Sequence, residues 1–232
     1  KMLDDRVEVD PDAPAENAVQ VNYNSQLEEK LIPVNVTAKY SDGSEKTVGI
    51  LLGYDSKKSE LPVPENLVEV QGCSTLRNTV TLKINGNNGK MLVKVDFDKN
   101  TAAQIDELSD NYMHTDRYCA YYRESVLMFV YDMYKDVHMR VAINAAIVCE
   151  VADFYVVGDS LYVKENIYPD SVALYKANLT SAVDEGPNSI HEVYLTAVNT
   201  FEHVKNLTFD GTGYNVITDV NGKTVTTHYN FP

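Results

Sequence analysis

The chain has 232 residues, a net formal charge of −14 and a pI near 4.7, and it contains three cysteines and no tryptophan. A surface this acidic repels phosphate backbones and anionic lipid headgroups, which argues against nucleic acid and bare membrane as partners. The length suffices for one large domain or two small ones, each able to bury a core, and two small domains are favoured.

The first thirty residues are predicted to form an acidic, poorly ordered tether. The sequence KMLDDRVEVDPDAPAENA has few side chains to bury and resembles a linker between an anchor and a folded domain. No run of eighteen apolar residues occurs, so no membrane span is predicted, and a lipid anchor upstream of residue 1 is compatible with this start. Residues 31–152 are predicted to form a first α+β module and residues 153–232 a second, smaller one.

Two hairpins are predicted in the first module. Strand-like runs at Leu31–Tyr40 and Lys46–Tyr54 flank Asp42-Gly43, whose glycine supplies the positive φ of a tight turn. Two further runs, Thr79–Ile84 and Met91–Phe97, flank the turn sequence NGNNG and predict the second hairpin.

The segment after the second hairpin allows two interpretations. Four oxygen-bearing residues have the spacing of positions 1, 3, 5 and 12 of a calcium-binding loop: Asp96, Asp98, Asn100 and Glu107. Position 6 is Thr101 rather than glycine, and a strand precedes the loop where the motif has a helix. Thr101 and Gln104 also have the spacing of a capping box, so a short helix beginning here is favoured over a calcium site.

The most apolar stretch, Thr115–Cys149, is predicted to form a helix followed by a central strand. In residues 117–134 apolar side chains recur at steps of three and four, the spacing of a helix. From Val137 to Val151 apolar and polar residues alternate, the period of a strand with one buried face. Cys119 and Cys149 fall on the apolar faces and are predicted to be buried thiols without chemistry.

Two more helices are predicted in the second module from apolar periodicity, Asp170–Val183 and Ile190–Glu202. Ser189 and Glu192 have capping-box spacing at the start of the latter. Aligned on their predicted helices, RESVLMFVYDMYKDVHMRVAI and HEVYLTAVNTFEH-VKNLTFDG share acidic and apolar positions, which either a tandem repeat of a small module or a shared periodicity alone would produce.

The chain is predicted to end in a strand and a hairpin. Val204–Phe209 reads as the strand, and Tyr214–Val220 and Lys223–Tyr229 as the arms of the hairpin. The turn between the arms is Asn221-Gly222, the strongest short-range hairpin signal.

One four-residue motif suggests catalysis. Gly158-Asp159-Ser160-Leu161 spells the signature of the GDSL hydrolases, whose serine attacks esters. Such an enzyme needs an Asp-x-x-His pair far downstream, and here His228 has Val225 where the aspartate belongs. Gly-Asp-Ser is also ordinary turn chemistry between two short strands, which is the favoured interpretation.

Other candidate site residues have simpler explanations. The histidines show no metal-ligand spacing: His114, His138, His191, His203 and His228. Six tyrosines are candidates either for a ligand-binding surface or for core packing: Tyr112, Tyr118, Tyr121, Tyr122, Tyr131 and Tyr134. Three asparagines lie in Asn-x-Thr glycosylation triplets, which chance also produces: Asn35, Asn178 and Asn206. No catalytic, cofactor-binding or metal-binding residue is therefore assigned.

Several segments resemble the GerMN-type domain, a small α+β module of bacterial sporulation, spore-germination and cell-envelope lipoproteins. They are the hairpin VNVTAKYSDGSEKTVGILLGY, the hairpin end VKVDFDKN and DSVALYKANLTSAVDEGP, which is similar to that family's first helix. The resemblance covers residues 34–147 and, more loosely, the remainder. It implies an envelope-facing binding or assembly module without catalytic residues.

The sequence thus predicts an α+β fold of hairpin-rich antiparallel or mixed sheets with a few packed helices. The predicted function is a non-enzymatic, extracytoplasmic binding module, in the cell envelope or secreted, with a protein or cell-wall polymer as partner and no cofactor. Two alternatives stay open: an all-β adhesion or structural surface protein with an immunoglobulin-like first domain, and a GDSL-like serine hydrolase using Ser160.

Overall fold

The chain forms strands throughout the part that the computed structural model describes. The described residues are 2–10, 19–21, 30–54, 66–86, 89–123, 127–143, 146–147, 151–184 and 191–232. The strands are β1 Met2–Asp10, β2 Val19–Val21, β3 Lys30–Tyr40, β4 Glu45–Tyr54, β5 Val68–Ser74, β6 Thr79–Gly86, β7 Gly89–Asp96, β8 Thr101–Leu108, β9 Tyr112–His114, β10 Tyr118–Arg123, β11 Leu127–Asp132, β12 Val137–Ile143, β13 Ala146–Ile147, β14 Val151–Val157, β15 Ser160–Ile167, β16 Ser171–Asn178, β17 Val183–Asp184, β18 His191–Phe201, β19 Val204–Phe209, β20 Gly213–Val220 and β21 Lys223–Asn230. These residues contain no helix, and so none that is suited to crossing a membrane.

The chain divides into two compact units. Unit 1 consists of Lys1–Arg123 with Tyr131–Val137, and unit 2 consists of Glu124–Val130 with His138–Pro232. The segment predicted to be a tether supplies β1 and β2 of unit 1, which pair with β3 and β4 respectively.

Unit 1 contains two four-stranded sheets, with strand orders β1-β3-β4-β2 and β5-β6-β7-β8. Both predicted hairpins are confirmed, as β3–β4 and β6–β7. In the first, Gly43 has a φ of 84°, and Asp42 Oδ1 accepts the backbone N–H of Ser44 at 2.9 Å. The turn is therefore closed by the residues whose conformational preferences predicted it.

The core of unit 1 lies between these two sheets. Alternate residues of β3 are at most 6% exposed: Ile32, Val34, Val36 and Ala38. They belong to one cluster with apolar residues of β4, β6 and β7, such as Ile50, Leu82 and Val93. Burying each valine, leucine or isoleucine stabilises the fold by about 1.5–3 kcal/mol relative to exposure, so the period of two accounts for the packing of this unit.

Unit 2 contains a sheet in which β14, β15, β16, β18 and β12 follow one another, and a second sheet of order β19-β20-β21. The pairings are antiparallel except that β12 and β18 run parallel, with Met139 opposite His191. A core cluster joins Leu174 of the first sheet to Leu207 and Val216 of the second, and Phe231 packs against it. Two packed layers therefore bury the apolar faces of this unit.

The final hairpin is confirmed as β20–β21. Val220 pairs with Lys223, and the two turn residues have positive φ angles, 52° at Asn221 and 77° at Gly222. Positive φ at both central positions is the type I′ turn that matches the twist of antiparallel strands. The strand predicted at Val204–Phe209 is confirmed as β19.

All predicted helices are wrong. Residues 117–134 contain β10 and β11, and Asp170–Val183 contains β16. The described part of Ile190–Glu202 is β18, and the helix expected to begin at Thr101 is β8. The fold is all-β, which overturns the α+β class, its packed helices and the repeat of helix-then-strand modules. The segment that resembled the first GerMN helix is also strand, as β16.

The errors in residues 117–134 have a common cause. Five of the six residues in β10 and five of the six in β11 are buried, so both faces of each strand are covered. A strand covered on both faces has a continuous apolar run without a period of two, and such a run contains helix-like spacings by chance. The many tyrosines and valines of these segments favour strands, and that preference decides the outcome.

The predicted capping pairs have other roles. Thr101 pairs with Asp96 across a hairpin and Gln104 pairs with Val93. Glu192 is buried and forms an ion pair with Arg140 on the neighbouring parallel strand. The strand predicted from Val137 is confirmed as far as Ile143, whereas Cys149 lies outside the described residues.

A buried lysine connects the two layers of unit 2. Lys164 in β15 is only 7% exposed, and its Nζ donates hydrogen bonds to Asn206 Oδ1 at 3.0 Å and to the carbonyl of Leu207 at 2.9 Å. Burial lowers the pKa of Lys164 below its usual 10.5, and the carboxylate of Asp153 opposes this. No sequence pattern predicts the burial of this side chain, because lysine is rarely buried in folded proteins.

We expect this lysine to make stability depend on pH at the alkaline end. The unfolded chain binds the Lys164 proton more tightly than the folded chain, so the free energy of unfolding should rise as pH climbs from the folded pKa toward 10.5. Denaturant unfolding of the wild type and of Lys164→Met over this pH range isolates the effect, because other titrating groups cancel in the difference. A stability difference that stays flat or falls with pH would contradict the assignment.

Candidate protein-binding site

The four residues with calcium-loop spacing do not converge. Asp96 closes the β7–β8 turn, where its Oδ1 accepts the backbone N–H groups of Asp98 and Lys99, both at 3.0 Å. Glu107 lies in β8 opposite Met91, six residues after Thr101. It is therefore roughly 20 Å along the strand from Thr101. The described residues contain no cluster of three or more potential metal ligands. The acidic residues therefore serve the turn and its flanking strand.

Ser160 is the first residue of β15 and pairs with Val157 and Asn178. Gly158 and Asp159 form the two-residue loop of this hairpin, with a φ of 55° at Gly158, as a type II′ turn requires at its first position. None of the described hydrogen bonds joins Ser160 to a histidine. The GDSL sequence thus has the role of a hairpin turn here.

Most of the six candidate tyrosines are core residues. Four of them are at most 4% exposed: Tyr118, Tyr121, Tyr122 and Tyr131. Two of the hydroxyls donate to carboxylates, Tyr121 to Asp106 at 2.8 Å and Tyr131 to Asp136 at 2.6 Å. A ligand-binding surface made of these four side chains is excluded by their burial. Tyr112 is half-buried and donates to Gln71, and Tyr134 is exposed.

The cysteines and glycosylation triplets also have defined places. Cys73 and Cys119 are buried thiols, and burial raises the pKa of Cys119 to about 12, which disfavours the nucleophilic thiolate. Asn35 is a half-buried residue of β3, and Asn178 ends β16, where its Oδ1 accepts from Thr180. Asn206 uses its Oδ1 to accept from Lys164.

An open cavity of about 330 Å³ in unit 2 was not predicted from the sequence. The connection from β15 to β16, the strand ends beside it and the start of β19 line it: Asn166, Ile167, Tyr168, Pro169, Asp170, Ser171, Val172, Val204, Lys205 and Asn206. A second connection, from β18 to β19, leads directly into the β19 residues of this lining. The turn of the β15–β16 hairpin and the first residues of β19 thus frame one recess on the surface of the unit.

The tip of the β15–β16 connection exposes apolar side chains. Ile167 pairs with Ser171, which closes a three-residue turn of Tyr168, Pro169 and Asp170 with a cis bond before the proline. Tyr168 is 95% exposed and Ile167 is 40% exposed. None of the described hydrogen bonds uses the hydroxyl of Tyr168. A tyrosine in this position presents both a flat apolar ring and an unused polar group to a partner.

The second connection is fastened to the first through Asp170. The backbone N–H of Val204 donates to the carbonyl of Asp170 at 2.9 Å, and His203 Nδ1 lies 2.7 Å from Asp170 Oδ2. His203 has a φ of 56°, which aims its ring at the neighbouring turn. Lys205 lines the cavity and forms an ion pair with Asp219 at 2.9 Å. The frame of the cavity is therefore held by backbone and ionic contacts that leave the Tyr168 tip uncovered.

We expect the His203–Asp170 contact to respond to pH. The hydrogen bond and the charge of Asp170 raise the pKa of His203 above 6.5. A raised pKa means that the contact stabilises the fold fully below pH 6.5 and loses its effect as pH rises through the folded pKa. In an NMR titration of the imidazole, Asp170→Asn should lower the pKa of His203 toward 6.5. Asp219→Asn, which removes the partner of Lys205, should leave that pKa unchanged, and equal shifts in both variants would contradict the assignment.

Sequence patterns missed this site for a specific reason. The apolar spacing after Asp170 predicts a helix, although the sequence Tyr168-Pro169-Asp170 strongly favours a tight turn. Giving the proline precedence over the apolar spacing that follows it would have placed a hairpin tip at Tyr168.

Comparison with known proteins gives little guidance. No protein-family model and no curated protein matches the chain, so the GerMN resemblance stays a prediction. One similar solved structure is the crystal structure of BamB from Moraxella catarrhalis, with a TM-score of 0.29 and 13% sequence identity, covering 83% of this chain and 68% of that chain. A similarity at this TM-score supports no inference about fold or function, and the functional argument rests on the geometry.

Proposed function

We propose that this chain is a non-enzymatic, extracytoplasmic module that binds a protein partner through the hairpin tip at Tyr168. The observation that supports this most directly is the 95% exposure of Tyr168 beside an open cavity. Tyrosines are enriched among the few residues that supply most of the binding energy at protein interfaces. Ile167 and Pro169 enlarge the apolar surface around it.

The size and lining of the cavity favour a protein over other ligands. About 330 Å³ lies at the small end of the range for ligand pockets, and it suits one or two side chains of a partner. An apolar tip beside a polar rim with Asp170 and Lys205 has the anatomy of a protein interface. A cell-wall polymer would need more free hydrogen-bonding groups than a cavity whose Lys205 and Asn206 side chains already have partners.

The extracytoplasmic location is part of the same proposal. It is supported by the composition, which is rich in asparagine, threonine, valine and tyrosine and lacks tryptophan, a balance common in exported proteins. Protease treatment of spheroplasts or protoplasts of the source organism, whose inner membrane is intact, tests it directly, with lysed cells as control and with the culture medium assayed for secreted protein. Protein that is protected until the inner membrane is lysed would contradict the location without affecting the binding proposal.

Site-specific photocrosslinking tests the binding surface. A photoreactive phenylalanine analogue at position 168 should yield a discrete crosslinked protein in cells. The matched control is the same analogue at position 76, because Leu76 is 90% exposed in the β5–β6 turn of unit 1. Adding Ile167→Asp should abolish the product at 168. The proposal fails if both positions give the same products, or if Ile167→Asp has no effect.

A further inference from the structure

We propose that β21 is a self-association edge, and that two copies of this chain pair β21 with β21 in an antiparallel, two-fold arrangement centred on Thr227. This surface is separate from the Tyr168 tip, so the inference goes beyond the proposed function and can fail independently of it. The occupant is a second copy of the chain.

The first support is the exposure of β21. This strand forms one edge of the β19-β20-β21 sheet and, among the described strands, pairs only with β20. All eight of its residues are exposed, and its ladder with β20 has no irregularity. Proteins usually protect such edges with a bulge, a proline or charged side chains. The strand KTVTTHYN has no bulge and no proline, and its one charged residue, Lys223, stands at the turn end. No other described strand pairs with its outer backbone groups, which can therefore pair with a second copy.

The turn fixes which backbone groups point outward. In a two-residue hairpin the residues flanking the turn form a hydrogen-bonded pair, here Val220 and Lys223, and the pairs then alternate along the ladder. The N–H and C=O groups of four residues therefore point away from β20: Thr224, Thr226, His228 and Asn230. The contact of Thr218 Oγ1 with the carbonyl of Val225 agrees with this assignment, since that carbonyl must face β20.

The same register makes the edge complementary to itself. With Thr227 on the two-fold axis, Thr226 pairs with the second copy's His228 and Thr224 with the second copy's Asn230. Each pair exchanges two hydrogen bonds, about eight for the whole edge. On one face Val225, which is 41% exposed, then lies beside the second copy's Tyr229, which is 40% exposed. Pairs of an aromatic and a β-branched residue, and Thr–Thr pairs such as the one on the axis, are favourable across strands.

Charge also favours a second copy at this edge. The chain has a net charge of −14, yet β21 contains no acidic residue and one lysine. The acidic residue opposite Thr224, Asp219, is already paired with Lys205. In the proposed register the two Lys223 side chains lie at opposite ends, roughly 27 Å apart, which exceeds the screening length of about 8 Å at physiological salt. The edge is therefore a part of this acidic chain where two copies meet without repulsion.

Sedimentation velocity over a concentration series at physiological salt tests the proposal. The wild type should show a monomer–dimer equilibrium, and Thr226→Pro should raise its dissociation constant about tenfold or more, because each copy loses an outward N–H donor. Thr226→Val keeps the donor and the β-branch and should associate like the wild type. Circular dichroism and thermal unfolding verify that each variant is folded.

A charge swap on the axis tests the register without altering the backbone. Thr227→Lys alone and Thr227→Glu alone should each weaken association, because like charges meet on the axis. An equimolar mixture of the two should recover a heterodimer at least as stable as the wild-type dimer. A wild type that stays monomeric throughout the series overturns the proposal, and so does a dimer that is insensitive to Thr226→Pro or a mixture that shows no recovery.

Discussion

Replacing Asp132 with alanine is expected to lower the free energy of unfolding of unit 1 by about 3–5 kcal/mol. Asp132 is 2% exposed, and its carboxylate accepts from Arg117 Nε at 3.2 Å and Nη2 at 2.8 Å. It also accepts the backbone N–H groups of Tyr134 and Lys135 at the β11–β12 turn. The substitution would remove the acceptor of the Arg117 guanidinium and of two backbone N–H groups at once. This lowers the free energy of unfolding far more than the loss of a surface ion pair does.

Denaturant unfolding followed by tyrosine fluorescence measures this loss. Asp110→Ala provides the matched control, since Asp110 pairs with Lys90 at 3.1 Å on the surface with its side chain 97% exposed, and its removal should leave stability unchanged. The double variant Arg117→Met with Asp132→Leu should recover only the part of the loss that comes from the guanidinium, because leucine leaves the backbone N–H groups of Tyr134 and Lys135 without their acceptor. Equal effects of Asp132→Ala and Asp110→Ala would show that the carboxylate is not the anchor of this turn.

Gly213→Ala is expected to destabilise unit 2 by about 3 kcal/mol or more, through overpacking against backbone. A Cβ at Gly213 would overlap the carbonyl oxygen of Tyr229 and lie 2.9 Å from the Cα of Asn230, on the strand that Gly213 pairs with. Both of these atoms belong to the backbone and cannot move aside as a side chain could. The end of β21 must therefore separate from β20. Phe231 would move with it, together with its stacking on Tyr162 at a centroid distance of 4.3 Å.

Gly211→Ala is a close control, because Gly211 lies two residues before Gly213, in the β19–β20 connection. The nearest atom to its added Cβ is the hydroxyl of Tyr155 at 3.9 Å, an ordinary contact. Thermal unfolding should show a large drop in midpoint for Gly213→Ala and little change for Gly211→Ala. Similar midpoints for the two variants would mean that the hairpin end accommodates a methyl group.

The confirmed elements of this fold depend on local chemistry. Asp42-Gly43 and Asn221-Gly222 determine their turns within four residues, so neighbouring strands follow from the sequence alone. The burial alternation of β3 likewise needs only one covered face. These features are predictable because no distant residue has to be known.

The wrong elements depend on what lies on the other face of a strand. Nothing within YCAYYR or LMFVYD indicates that both faces are covered, and only the complete fold supplies that information. Glu192 shows the same dependence. Its spacing from Ser189 predicts a capping box, but its carboxylate forms an ion pair with Arg140, which is remote in sequence.

The candidate site was missed because it consists of two connections that are distant in sequence. Tyr168 and Val204 approach each other only after β15, β16, β18 and β19 have assembled. The local sequence does not predict which tyrosines are exposed, since Tyr168 is exposed whereas Tyr162, six residues earlier, is buried. The β21 edge was predicted as a strand, but its position at the edge of the described β19-β20-β21 sheet is a property of the assembled fold.

The parallel pairing of β12 with β18 has a consequence for how the chain is made. Met139 can pair with His191 only after residue 191 has been synthesised. Closing the loop of roughly fifty residues between them costs about 3.5 kcal/mol of chain entropy. When only the first 150 residues have left the ribosome, the edge of β12 that pairs with β18 is still exposed. The hairpins of unit 1 can already form at this stage. During synthesis the β12–β18 pairing therefore forms late, after the local hairpins on either side of it are possible.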